Sequence, residues 1–69
     1  MKIYQITDRG DRVAQNPRLP KEPVYLILAA LRARTGCTKE QLEGLTGLDS
    51  AEVSVALLKL QSAGLVKGV

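Results

Sequence analysis

Side chains able to do chemistry are few in this chain, and they fall into two groups. Arg9, Arg12, Arg18 and Lys21 gather in the first third, while Ser50, Ser54 and Lys59 are spread along one later apolar-rich stretch. Guanidinium, ammonium and hydroxyl groups suit contacts to phosphate oxygens and base edges rather than bond making. Catalysis has little to work with: histidine is absent, Cys37 is the sole cysteine, and no carboxylates, cysteines or glycines fall into metal, nucleophile or phosphate-loop spacings. Gly44-Leu45-Thr46-Gly47 carries two glycines but no lysine after them, so it reads as a turn. No enzyme, metal or cofactor is expected, and a small effector at a dimer seam stays open.

The basic groups have two readings. With 10 basic and 7 acidic residues the chain is net +3, which favours a nucleic-acid partner without requiring one. Arg9, Arg12, Arg18 and Lys21 could form a flexible arm that touches phosphates, or, interleaved with Asp8, Asp11 and Glu22, an ordinary solvated surface. Cys37 cannot form an internal disulfide, which suits a reducing compartment, and reads as a small, partly buried filler more readily than as a redox sensor near a helix start. The start Met1-Lys2-Ile3-Tyr4-Gln5 lacks signal-peptide character, and the apolar run 24–31 is far shorter than the ~20 residues of a membrane span. A cytoplasmic protein with no membrane partner is expected.

A chain of 69 residues supports one domain. It is 45% hydrophobic, and Tyr4 and Tyr25 are its only aromatics, so an aliphatic core must hold it together. Residues 2–7 favour a short strand with Tyr4 and Ile6 on one face and Ile3 outside that alternation. Thr7 can cap a brief helix over 8–15, although Gly10 weakens it. Asn16-Pro17-Arg18-Leu19-Pro20-Lys21 breaks the pattern and serves as an ordered linker. The arm is thus 1–22 and the main body 23–69.

Pro23 suits the first turn of a helix that is apolar nearly all round, ending near Thr35 with Gly36 in the left-handed conformation. Thr38-Lys39-Glu40-Gln41 has capping-box spacing and starts a short second helix. Asp49-Ser50-Ala51-Glu52 repeats that signal, and the third helix of the body runs to about Ser62. At ~100° per residue, Val53, Ala56, Leu57 and Leu60 form its core stripe, with Ala51, Val55, Leu58 and Ser62 nearly opposite. Gly64 ends it, and Leu65-Val66-Lys67-Gly68-Val69 is β-prone, free to pair with residues 2–7.

Thr38-Lys39-Glu40-Gln41-Leu42, Leu45-Thr46-Gly47-Leu48 and Leu60-Gln61-Ser62-Ala63-Gly64-Leu65-Val66 together make residues 24–66 resemble winged-helix repressors of the MarR, ArsR and PadR type. The resemblance implies a mainly α fold with a small β-sheet: a winged helix-turn-helix with a three-helix core and short strands from both chain ends. It implies double-stranded DNA as partner and transcriptional regulation as role, though the same fold also serves RNA binding and protein docking. Tyr4-Gln5-Ile6-Thr7-Asp8-Arg9-Gly10 resembles the returning strand that follows the wing in PadR and MarR relatives and leads into a helix. Here it comes before the first helix. Either both chain ends build a wing base with no loop at its tip, or residues 2–7 are an ordinary first strand.

One departure concerns the third helix. Relatives that read DNA commonly expose Arg, Lys, Ser, Asn or Gln there, whereas this helix exposes Ala51, Val55 and Leu58, with Lys59 its only cation and Asp49 and Glu52 at its start. If DNA is bound, Ser50, Ser54 and Lys59 face the groove, with Arg9, Arg12 and Lys67 on phosphates. Otherwise Ala51, Val55 and Leu58 form a contact patch for a second copy or another protein, or the arm covers them through Val13 or Leu19.

Overall fold

The computed structural model describes residues 2–69, so the first residue of the expected arm lies outside the described residues. The order is β1 (Tyr4–Ile6), α1 (Asp8–Ala14), α2 (Pro23–Ala33), α3 (Lys39–Thr46), α4 (Ser50–Ser62) and β2 (Val66–Gly68). Four helices and a two-stranded antiparallel sheet result.

Three of the four helices start at a side-chain cap. The Thr7 hydroxyl accepts the Gly10 N–H at 3.1 Å and donates to the Gly64 carbonyl at 2.7 Å, so one cap also fastens α1 to the end of α4. Thr38 with Gln41, and Asp49 with Glu52, form full capping boxes at α3 and α4, each satisfying two otherwise orphaned amides. Pro23 opens α2 with no side-chain cap; the missing proline N–H removes one of the donors a cap would serve.

α2 is the central helix. Its Ile27, Leu28 and Leu31 are buried and meet Leu42 of α3 and Val53, Ala56, Leu57 and Leu60 of α4 in one aliphatic cluster. Ala14, Cys37 and Val66 complete it from α1, the α2–α3 connection and β2. No polar or charged residue is buried among the described residues, so the core makes no demand for internal hydrogen bonding beyond the backbone.

α2 ends earlier than the sequence predicts. Its last residue is Ala33, Arg34 is already extended (φ −130°, ψ 143°), and Gly36 is not among the positive-φ glycines. The chain straightens because Cys37 must reach β1: Tyr4 N–H donates to the Cys37 carbonyl at 2.8 Å, and Cys37 N–H returns a bond to Tyr4 at 3.1 Å. Glycine is used at 36 for size, since a Cβ there would lie 2.9 Å from Ile3 Cγ2. The left-handed terminators are instead Gly47 after α3 and Gly64 after α4, with φ of 75° and 74°.

β1 therefore has neighbours on both edges. Cys37 bridges one side at Tyr4, and β2 pairs along the other in the register Tyr4 with Gly68, Gln5 with Lys67 and Ile6 with Val66. Ile3 and Val69 extend the pairing with reciprocal backbone bonds of 3.2 and 2.7 Å. The two ends of the described chain thus lie side by side. Tyr4 and Ile6 turn inward to the core cluster, as their alternation predicts.

Candidate functional site

α4 fixes the geometry of any contact surface, because its core stripe is fully used. Val53, Ala56, Leu57 and Leu60 are buried, so the opposite line of Ala51, Val55, Leu58 and Ser62 must face outward. Val55 is 53% and Leu58 66% exposed. The arm does not cover them: Val13 is packed against the core, on the helix that runs alongside α2, and Leu58 is the most exposed large apolar residue within any helix or strand. The sequence-derived partner residues Ala51, Val55 and Leu58 consequently form one continuous open line.

Beside that line runs an open groove of about 580 Å³. It is lined from α4 by Ala51, Val55 and Ala56 with the charged Glu52 and Lys59, and from the start of α2 by Pro23 and Val24 with Glu22 before them. The α2 wall was not legible in the sequence, since a contact between residues some thirty positions apart leaves no local signal.

The DNA-directed residues on α4 are not brought together. Ser50, Ser54 and Lys59 are all exposed, but on a helix the two serines lie ~40° apart on one flank while Lys59 lies ~140–180° round from them. The line between those flanks is the aliphatic one. Electrostatics add to the problem: residues 39–52 hold Lys39 against Glu40, Glu43, Asp49 and Glu52, so this segment is net −3 and the remainder of a net +3 chain is net +6. Negative charge on α3 and the start of α4 opposes approach to a polyanion.

Positive groups collect elsewhere. Arg9 on α1 places Nη1 3.9 Å from where a side chain at Gly64 would begin, so its guanidinium sits at the carbonyl end of α4 and complements that helix dipole. Lys67 is exposed on the neighbouring strand, paired in register with Gln5. Arg12 is exposed further along α1. Lys2, which the sequence did not single out, lies with Nζ 5.5 Å from the Tyr4 ring centroid beside Gly68. α1 is docked against α2, and Arg32 of α2 meets Asp11 at 3.2 Å, so Arg9 and Arg12 belong to a folded surface and not to a flexible arm. Arg18 and Lys21 remain exposed in the linker.

Comparison with family models, with characterised proteins and with solved structures gives no match. Among the described residues no cluster of histidine, cysteine and carboxylate groups could hold a metal ion, and no helix is long and apolar enough to cross a membrane. Cys37 is buried and free.

Proposed function

We propose that the chain is a small winged-helix DNA-binding protein, a regulator of transcription, that holds duplex DNA mainly through its phosphates. The observation carrying this reading is the separation of charge: residues 39–62, which hold α3 and α4, are net −2 against a net +5 remainder, with Arg9 at the end of α4 and Lys67 on the adjoining strand. Phosphate contacts need positive charge and little directionality, whereas base reading needs aligned donors and acceptors, which the aliphatic line of α4 lacks. The winged-helix part of the reading is supported by β1 pairing with β2 and leading directly into α1, with Ile3 and Val69 extending the pairing.

Fluorescence anisotropy with a random-sequence duplex tests this. Binding at low salt that weakens steeply as salt rises is expected, and Arg9→Ala, Arg12→Ala and Lys67→Ala should each lower the salt slope by about 1. Ser50→Ala and Ser54→Ala should change affinity little. Absence of binding at low salt, or indifference to the double Arg9→Ala, Arg12→Ala variant, overturns the proposal.

A second reading has its own support. The exposed line of Ala51, Val55 and Leu58 beside an apolar groove favours a winged helix that contacts protein through α4 without reading DNA.

A further inference from the structure

The outward line of α4 has the spacing of a coiled-coil seam. Ala51, Val55, Leu58 and Ser62 follow one another at intervals of four, three and four residues, and all are exposed. Positions alternating in that way form the a and d line along which two helices interlock. With Val55 and Ser62 at a and Ala51 and Leu58 at d, Glu52 and Lys59 occupy the two e positions, on the groove side of the seam.

We propose that a second copy of this chain covers this face, its α4 lying antiparallel to the first across a twofold axis. The proposal deepens the protein-contact reading and rests on it. Charge selects both occupant and direction. In an antiparallel pair the e positions face each other, so Glu52 of each copy meets Lys59 of the other, and the twofold axis makes two such pairs. In a parallel pair e faces g, and the g positions here are Ser54 and Gln61, which carry no charge. The same antiparallel register stacks Val55 on the other copy's Leu58 and Ala51 on its Ser62. A seam of four positions is small beside the ~1,200–2,000 Å² of a stable interface, so the dimer is concentration dependent. Arg9, Arg12 and Lys67 lie outside the seam.

Sedimentation equilibrium of the intact chain, from micromolar to millimolar concentration at low and high salt, tests the arrangement. The expected result is a reversible dimer, weakened by salt and weakened about tenfold or more by Leu58→Glu or Val55→Glu. Both sites are exposed, so circular dichroism should report an unchanged fold for these variants. Lys59→Glu alone should weaken the dimer, and mixing it with Glu52→Lys should restore association, because the mixed dimer regains two opposite-charge pairs. Glu52→Lys also loses a capping bond, so zero-length carbodiimide coupling of the unaltered chain gives an independent check. Glu52 and Lys59 are about 10.5 Å apart along one helix, so their coupling must yield a covalent dimer.

A chain that stays monomeric throughout overturns the second copy as occupant, while leaving α4 open to another protein. A dimer indifferent to Leu58→Glu and Val55→Glu places the contact between copies on another face and equally overturns the second copy as occupant of α4. A dimer broken by them, yet without mixed rescue and without the coupled product, overturns the antiparallel geometry.

Discussion

Gly10 of α1 lies against the backbone carbonyl of Leu65, so closely that a Cβ at position 10 would overlap that oxygen and lie 2.8 Å from Ile6 Cγ1. A glycine that weakens α1 as an isolated helix is what lets α1 seat on the turn leaving α4. The contact is reinforced by Thr7, whose N–H donates to the same Leu65 carbonyl at 3.0 Å.

Gly10→Ala should therefore destabilise the protein by about 1–3 kcal/mol, although alanine is the better helix former by about 1 kcal/mol. The obstructing atom is backbone, so rotamer change cannot relieve it. Chemical denaturation measures the effect, and a variant as stable as the parent would show that α1 can shift without cost.

Gly44→Ala should do the opposite. Position 44 lies within α3, its backbone is not left-handed, and a Cβ there meets nothing within 4 Å. Removing the glycine should stabilise by about 0.5–1 kcal/mol, and thermal unfolding should rise by roughly 4–8 °C per kcal/mol for a domain this small.

Leu57→Ala should cost about 2–5 kcal/mol, because Leu57 is buried in the α2–α4 contact and its truncation leaves a cavity. Marginal stability makes that a large fraction of the total. Equilibrium urea unfolding should show a low midpoint or a largely unfolded chain, whereas Leu58→Ala, one residue on and exposed, should unfold within about 0.5 kcal/mol of the parent.

The stripe of α4 was legible because burial on a helix follows a fixed period, and Val53, Ala56, Leu57 and Leu60 satisfy it. Both capping boxes were legible for a similar reason: Thr38 with Gln41 and Asp49 with Glu52 are local pairs whose geometry the helix start imposes. The end of α2 was not. Gly36 resembles a helix terminator in sequence, but its role is set by Ile3, a residue distant along the chain that packs where a side chain would go. The contact residues divide in the same manner. That Val55 and Leu58 oppose the core was readable from periodicity, while their exposure depended on where the arm folded, and the groove depended on where Pro23 came to lie.

By itself the sequence determined which elements form, the side-chain caps that open α1, α3 and α4, and the buried stripe, since each follows from interactions within a few residues along the chain. Tertiary structure alone decided that Cys37 bridges the other edge of β1, that α1 docks through Gly10 instead of swinging as a basic arm, and that Arg9 stands at the end of α4. Those are contacts between residues far apart in the chain. Their energy depends on shape and charge matching that no local spacing encodes.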